Sequence, residues 1–158
     1  MEKERVFFPD ANSTLRVSYG KVLSYCPADA VEYKHFTTVE GIIEKTYQDA
    51  PDYVIEDNLF KFITSSDFGK YKHSDGSMRV AFIATNHTTG GNSGSPVFNA
   101  DGHLIGINFD RVWEGTMSDL FFDESICRNI SVDIRYVLLI TDKFAGAKHL
   151  IDELNLIW

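Results

Sequence analysis

Residues Gly90–Val97 (GGNSGSPV) form a glycine-dense turn between two apolar, strand-like regions. The region before it, Arg79–Thr85 (RVAFIAT), is rich in β-branched and apolar residues, which is typical of a buried strand. After the turn, Ser95–Asn99 and His103–Phe109 flank an Asp-Gly pair, a strong short-range signal for a β-hairpin. The sequence therefore predicts a strand, a glycine-rich turn and a hairpin in succession.

The serine at the centre of this turn has the setting of a nucleophile. Nucleophilic catalysis needs an exposed hydroxyl on a tight turn, with backbone N–H groups converging where an oxyanion forms. Flanking glycines permit such a turn and let a substrate approach. We therefore predict that Ser93 is the nucleophile and that the N–H groups of Gly91 and Ser93 form the oxyanion hole. The alternative is a Gly/Ser-rich β-turn without chemistry. An α/β-hydrolase elbow does not fit, because Pro96 and a β-rich run follow rather than a helix.

The first half of the chain predicts further short elements. Alternating apolar and polar residues predict a strand over Thr14–Val22. Thr37–Lys45 fits either a strand or a helix, and its β-branched residues favour the strand. Apolar residues on one face predict a helix over Glu56–Thr64.

The C-terminal part differs in kind, because its apolar residues follow helical spacing. Ser131 is a candidate helix N-cap, and Asp133 would then lie in the first turn, where a negative charge favours the helix dipole. Gly146 is a candidate stop, and a short second helix is predicted over Lys148–Leu154. Many strands followed by helix predict an all-β barrel or sandwich with a helical tail.

Composition limits the class of function. The 158 residues suffice for one domain with a real core. With 23 acidic and 15 basic side chains the net charge is -8, which repels phosphates, so no nucleic-acid partner is expected. The longest apolar run, Tyr136–Ile140, is far shorter than the ~20 residues of a membrane span. The charged segment Met1–Arg5 lacks the apolar region of a signal peptide.

The two cysteines do not indicate a metal site. Cys26 and Cys127 stand far apart, with neither a CxxC pair nor a His/Cys cluster, so no zinc and no other cofactor is expected. Two small buried apolar side chains are the favoured interpretation. A single disulfide stays open as the alternative in an oxidising compartment.

Two longer stretches carry a family resemblance: TTGGNSGSPVFNADGHLIGINFDRVWEGTMSD (Thr88–Asp119) and ICRNISVDIRYVLLITDKFAGAKHLI (Ile126–Ile151). Both closely resemble the C-terminal part of the bacterial dipeptidyl-peptidase 7 and 11 family of chymotrypsin-fold serine exopeptidases. The resemblance implies that residues 1–158 form the second, trypsin-like barrel of the double-barrel fold, with a helical tail from about residue 131. It also implies that the first barrel, which carries the catalytic His and Asp, and a helical cap domain are absent from this chain. We therefore expect a fragment that is inactive alone.

The same resemblance implies roles for individual residues. Ser93 matches the nucleophile. Arg111 matches a position that is Arg in the acid-specific branch, dipeptidyl-peptidase 11, and Gly in the branch that prefers apolar residues. Asp110 resembles a residue that helps to hold the substrate's α-ammonium group, and His87 lies where chymotrypsin-like enzymes often have the floor of the specificity pocket. Each residue also has an interpretation without a functional role. Arg111 would then be a solvated arginine at a strand end, Asp110 an ordinary turn aspartate and His87 a loop histidine.

The expected function is a serine-type dipeptidyl-peptidase that releases dipeptides with Asp or Glu at the second position from peptide N-termini. The expected partners are oligopeptides with acidic residues and the missing N-terminal part of the same enzyme, and a homodimer is left open. The expected location is the periplasm or cell surface of a Gram-negative bacterium. Two alternatives are a glutamyl endopeptidase-like serine protease, which would accept a blocked N-terminus, and a catalytically silent trypsin-like binding module.

Overall fold

An antiparallel sheet of five strands forms the centre of the fold. The computed structural model describes residues 13–48, 50–65 and 67–158. The strands are β1 Tyr25–Ala28, β2 Val31–Tyr33, β3 Phe36–Thr38, β4 Arg79–Ala84, β5 Pro96–Phe98, β6 Leu104–Arg111 and β7 Asn129–Asp133. The five strands of the sheet lie in the order β3-β4-β7-β6-β5, and each neighbouring pair is antiparallel. Strands β1 and β2 form a separate hairpin.

Close packing fixes the position of β6, the strand that leads to the site. Gly106 on β6 lies against the Phe82 ring of β4. A Cβ atom at residue 106 would come within 2.6 Å of a ring carbon of Phe82 and 2.7 Å of the Val132 carbonyl oxygen. Both distances are too short for a real Cβ atom. Strand β6 can therefore approach Phe82 and the backbone of β7 this closely only with glycine at position 106.

Helices build the apolar core. The α-helices are α1 Val39–Thr46, α2 Asp57–Thr64, α3 Ile134–Leu139 and α4 Lys148–Asp152, and a π-helical segment, Ile140–Phe144, continues α3. Short 3-10 turns cover Pro51–Tyr53, Gly69–Tyr71 and Trp113–Asp119. The core cluster consists of the buried side chains Val39, Ile63, Phe68, Tyr71, Met78, Leu138, Leu139 and Ile151. Burial of such side chains is the main favourable contribution to folding.

The expectation of an all-β chain is wrong. The strand predicted over Thr37–Lys45 ends at Thr38, where α1 begins. Val39, Ile42 and Ile43 then follow helical spacing and pack into the core cluster, and this tertiary contact outweighs their β-branched preference for strands. The sheet is also open: β3 and β5 are its two edges, and the described residues contain no closed barrel.

The strand predicted over Thr14–Val22 is wrong as well. Only Val22 makes a bridge, to Ala84 at the end of β4. Leu15, Val17 and Tyr19 are almost fully exposed, at 94, 77 and 89% of their surface. Only the end of this segment lies beside a strand: the Leu23 N–H donates to the Ile83 carbonyl of β4, and the Thr85 N–H donates to the Lys21 carbonyl. The residues before it have strand-like alternation but no ladder pairing within the described residues.

The start of the C-terminal helix is displaced from its predicted place. Ser131 is buried in β7, and Asp133 is the N-cap of α3, with its Oδ1 accepting a 2.9 Å hydrogen bond from the Arg135 backbone N–H. The sequence therefore correctly predicted a helix with a side-chain N-cap, but the cap lies two residues later than predicted. The predictions of the helix near Glu56–Thr64, the hairpin, the stop at Gly146 and the last short helix are confirmed.

Three other expectations have simple outcomes. Cys26 is exposed and Cys127 is buried, and both are free thiols, so the expected burial holds only for the second. Within the described residues no helix has the length and apolar character needed to cross a membrane. The segment Met1–Arg5 lies outside the described residues.

Candidate active site

The Ser93 side chain is exposed on the turn that precedes β5. Gly91 and Gly94, on either side of it, have φ angles of 97° and 85°, a left-handed conformation that glycine adopts without strain. The Ser93 hydroxyl donates a 3.1 Å hydrogen bond to the Phe109 carbonyl on β6. The predicted placement of the hydroxyl on a tight, exposed turn is therefore what the structure has.

Along residues 91–94 of this turn, backbone N–H groups without a hydrogen-bond partner among the described residues alternate with hydrogen-bonded ones. The Asn92 N–H donates to the Thr89 carbonyl at 3.2 Å, and the Gly94 N–H donates to the Asn108 carbonyl at 2.7 Å. The N–H groups of Gly91 and Ser93 have no hydrogen-bond partner among the described residues. These are the two donors that sequence analysis assigned to an oxyanion hole.

A buried amide side chain holds the turn against the sheet. Asn108, on β6, donates from Nδ2 to the Asn92 carbonyl at 3.2 Å. Its own Oδ1 accepts a 2.8 Å hydrogen bond from Asn129 Nδ2 on β7, and its backbone N–H donates to the Ser95 carbonyl. Because these bonds have fixed directions, they set the orientation of the turn as well as its position.

Asn108 and Asn129 were not predicted as site residues. The signal for Asn108 was present, since it is a lone amide inside the apolar run of β6 and such a residue needs partners when buried. Its partner was out of reach, because β7 was not predicted as a strand. Asn129 Oδ1 is buried and has no partner in the described residues.

Arg111, at the end of β6, is paired with a carboxylate of this same chain. Its Nη1 and Nη2 donate to Asp119 Oδ1 and Oδ2 at 2.6 and 2.8 Å, and Nη1 also donates to Ser118 Oγ at 2.8 Å. These hydrogen bonds lower the pKa of Asp119 and raise that of Arg111, so both groups stay charged over a wide pH range. Neither Ser118 nor Asp119 was singled out from the sequence.

His87 belongs to the same network. Its Nε2 donates to the Ser118 carbonyl at 3.1 Å, and its ring stacks on Phe122 with centroids 4.3 Å apart. His87 therefore contacts the segment that carries the partners of Arg111. Asp110 is exposed, and its Oδ1 accepts a 2.8 Å hydrogen bond from the Arg111 backbone N–H.

The Ser93 hydroxyl is hydrogen-bonded to the strand that carries the Arg111 guanidinium. Phe109, whose carbonyl holds Ser93 Oγ, precedes Arg111 by two residues, which is about 7 Å along an extended strand. The predicted residues Ser93, Asp110 and Arg111 thus converge at one end of β6, and His87 joins them through Ser118.

A histidine base for Ser93 is not found in the described part of the chain. The one His–Asp pair there joins His73 Nε2 to Asp133 Oδ2 at 3.0 Å. Asp133 pairs with Gly106, three residues and about 10 Å before Phe109 along β6, so this pair lies towards the other end of the strand. The described residues also contain no cluster of three or more acidic, His or Cys side chains that could hold a metal ion.

The chain is similar to known peptidases over nearly its whole length. The model of the peptidase S46 family matches residues 1–156. An Asp/Glu-specific dipeptidyl-peptidase of Flavobacterium psychrophilum is 57% identical over 150 residues, which are 95% of this chain and 21% of that protein. A dipeptidyl-peptidase 7 of Phocaeicola vulgatus is 49% identical over 149 residues, 94% of this chain and 21% of that protein. The chain thus spans about a fifth of the length of the curated relatives it matches.

Solved structures give the same relationship. The crystal structure of Porphyromonas endodontalis DPP11 in complex with substrate has a TM-score of 0.86 to this chain at 51% identity, and covers 92% of this chain and 21% of that one. The complex of the same DPP11 with the dipeptide Arg-Glu has the same TM-score and identity. The complex with Arg-Asp has a TM-score of 0.82 at 49% identity, over 86% of this chain and 20% of that one.

Proposed function

The chain belongs to the peptidase S46 family, and on that premise we propose that it is the nucleophile-bearing part of a serine dipeptidyl-peptidase specific for Asp or Glu at the second position. The proposal draws on the relatives at 50–57% identity that carry this specificity by name. It also draws on the end of β6, where the Phe109 carbonyl that holds the exposed Ser93 hydroxyl precedes Arg111 by two residues.

Ser93 is the proposed attacking group. Its Oγ leaves the Phe109 carbonyl, attacks the carbonyl carbon of the second substrate residue, and transfers its proton to a histidine base. The negative charge that develops on the carbonyl oxygen is then stabilised by the N–H groups of Gly91 and Ser93, which have no partner among the described residues. Removing one such donor typically costs about 2.7–4 kcal/mol of transition-state stabilisation.

Arg111 is the proposed recognition group for the acidic side chain of the substrate. A guanidinium binds a carboxylate through two parallel hydrogen bonds, and it provides a local positive charge in a protein of net charge -8. Asp110 is exposed next to it, and we assign it to the substrate's α-ammonium group. His87 then contributes to the pocket through the Ser118 carbonyl rather than by direct contact with the substrate.

The remaining catalytic groups belong, in this proposal, to an N-terminal part of the complete enzyme. Residues 1–158 would then contribute to the second barrel of a chymotrypsin-like double barrel, with the open sheet completed by segments beyond the described residues. We also propose, from the family resemblance alone, that the enzyme acts in the periplasm or at the cell surface. A cell-fractionation experiment with the complete enzyme tests the location.

The observation that carries the proposal is the exposed Ser93 hydroxyl beside two available N–H groups. In the complete enzyme, Ser93→Ala should lower kcat on a Leu-Asp amide substrate by a factor on the order of 10⁴ or more. The matched control is Ser125→Ala, which alters an exposed serine bonded to the Asp123 carboxylate. Retention of full activity by Ser93→Ala would exclude Ser93 as the nucleophile. The 158-residue chain alone should hydrolyse none of these substrates.

Substrate choice tests the specificity. Arg111→Gly in the complete enzyme should reverse the preference between Leu-Asp and Leu-Leu amides, because the cation that binds the carboxylate is gone. Acetylation of the substrate N-terminus should abolish cleavage by an exopeptidase. Cleavage of the acetylated substrate at an undiminished rate would instead indicate an endopeptidase that cuts after acidic residues.

A further inference from the structure

The hydrogen bonds of the Arg111 guanidinium are distributed unevenly over its five N–H groups. Both N–H groups of Nη1 are used, one by Ser118 Oγ and one by Asp119 Oδ1. One N–H of Nη2 donates to Asp119 Oδ2. Asp119 therefore occupies the end of the guanidinium, between Nη1 and Nη2, in the bidentate geometry that is favourable for such pairs.

The unused N–H groups form one edge. The Nε–H and the second N–H of Nη2 lie parallel on the same side of the planar group, which is the second bidentate face of a guanidinium. Neither has a partner among the described residues. Two buried polar side-chain atoms of these residues lack a partner, Arg79 Nε and Asn129 Oδ1, and Arg111 Nε is not one of them. Arg111 Nε is therefore not fully buried, and the Arg111 side chain as a whole is 24% exposed.

The segment that carries Asp119 is itself held in place. Ser118 is buried, its hydroxyl accepts from Arg111, and its carbonyl accepts from His87 Nε2. The stacking of His87 on Phe122 restrains that imidazole in turn. The segment on either side of Asp119 is thus restrained, and a carboxylate carried on a restrained segment restricts the rotamers of the long arginine side chain that binds it.

From this geometry we propose that Asp119 is a positioning residue for substrate recognition: it holds the end of the Arg111 guanidinium and leaves the Nε–Nη2 edge for the carboxylate of an acidic substrate side chain. The inference rests on the proposed function. The substrate carboxylate and Asp119 bind different edges of one guanidinium, so the substrate displaces no protein group. The hydrogen bonds from Arg111 lower the pKa of Asp119, which favours its charged form in this pair.

Asp119→Asn in the complete enzyme tests the inference. An amide has a single acceptor oxygen and cannot form the two parallel hydrogen bonds to Nη1 and Nη2, so the guanidinium loses its fixed orientation while its charge remains. We expect KM for a Leu-Asp amide to rise about 10-fold, with kcat changed less than about 3-fold and with the constants for a Leu-Leu amide unchanged. Asp119→Glu keeps the carboxylate and should restore part of the loss. The matched control is Asp101→Asn, which removes one exposed carboxylate at the turn of the β5–β6 hairpin.

The outcomes separate the inference from the proposed function. An unchanged or lower KM for Leu-Asp in Asp119→Asn overturns the inference, because Asp119 would then be a bystander or a competitor of the substrate. A wild-type enzyme without preference for Leu-Asp over Leu-Asn overturns the proposed function itself. The rate at which a fluorophosphonate labels Ser93 reports whether each variant is folded. If Asp119→Asn fails to fold, Ser118→Ala decides: KM for Leu-Asp should rise about 3-fold, and no rise overturns the inference.

Discussion

The two ends of this molecule are held together by different kinds of interaction. In the helical part the buried side chains are apolar, and Val39, Ile63 and Leu139 are 1, 1 and 0% exposed. Around the turn that carries Ser93 several of the buried residues are polar, among them Asn108, Ser118, Arg128 and Asn129. Apolar packing is strong but lacks direction, whereas hydrogen bonds are weak in net energy but directional.

The difference indicates that the two regions contribute differently to the folded structure. The helical core supplies free energy of folding, and the polar end uses directional bonds to orient Ser93 and Arg111. Arg128 is the extreme case at the polar end. Its guanidinium is buried and donates to five backbone carbonyls: those of Leu23, Ser24, Glu124, Ser125 and Cys127. It thereby ties the segment before β1 to the loop before β7.

The largest effect on stability is expected in the helical core. Leu139→Ala removes a fully buried side chain and should lower the free energy of unfolding of the chain by about 2–5 kcal/mol in urea titrations. The exposed residue Leu120 offers a control, since Leu120→Ala should cost less than about 0.5 kcal/mol. A loss below about 1 kcal/mol for Leu139→Ala would contradict the difference described above. In the complete enzyme the folded variant should keep its KM for Leu-Asp.

Asn108→Ala should give a smaller loss of stability and a larger loss of function. It removes one hydrogen bond from the Asn92 carbonyl, which keeps the Ser95 N–H, and leaves Asn129 Nδ2 with only the 3.4 Å bond to Ser131 Oγ, a loss that costs about 1–3 kcal/mol. Because the turn loses its orienting bonds, kcat on a Leu-Asp amide should fall about 10-fold or more in the complete enzyme. Asn155→Ala, at an exposed amide near the C-terminus, should change neither quantity. Wild-type kcat in Asn108→Ala would show that the turn holds its shape without this side chain.

The smallest effect is expected where a polar bond lies inside the apolar core. Tyr71 is fully buried, and its hydroxyl donates a 2.6 Å hydrogen bond to Asp142 Oδ2. Tyr71→Phe keeps the packing and should lower the free energy of unfolding by about 1–2 kcal/mol at neutral pH. Tyr47→Phe, at an exposed hydroxyl, is the matched control.

The same tyrosine predicts a dependence on alkaline pH. Burial first, and then the bond to Asp142, raise the pKa of Tyr71 above its ordinary value of 10.0. A raised pKa in the folded state means that its stabilising contribution is fully present below pH 10 and is lost as the pH rises towards the folded value. The free energy of unfolding of the wild type should therefore fall above about pH 10. That of Tyr71→Phe should fall less over the same pH range. An equal loss in both would exclude Tyr71 as the source.

The turn and the hairpin could be predicted because their signals are local. The glycines around Ser93 and the Asp-Gly pair at residues 101 and 102 specify their backbone conformations within a few residues. The role of Arg111 was predicted only from the family resemblance, because no local sequence pattern distinguishes it from an ordinary solvated arginine.

The network behind these residues could not be predicted in the same way. The bond between Asn108 and Asn129 depends on the register of β6 and β7, and β7 has only five residues, too few for a clear period. The pairing of Arg111 with Asp119 depends on how a 3-10 turn folds back after β6. Helix α1 was not predicted because its conformation depends on packing in the core cluster with residues that are distant in sequence, such as Ile63 and Leu139.

Gly106 sets a limit on engineering the enzyme. Any larger residue there would collide with Phe82 and with the backbone of β7, and the strand would have to move away from the sheet. Residues 108–111 would be carried along with it, and the carbonyl that holds the Ser93 hydroxyl would shift as well. Libraries aimed at new substrates should therefore keep glycine at position 106, and they should also keep Ser118 and Asp119, which hold the Arg111 guanidinium.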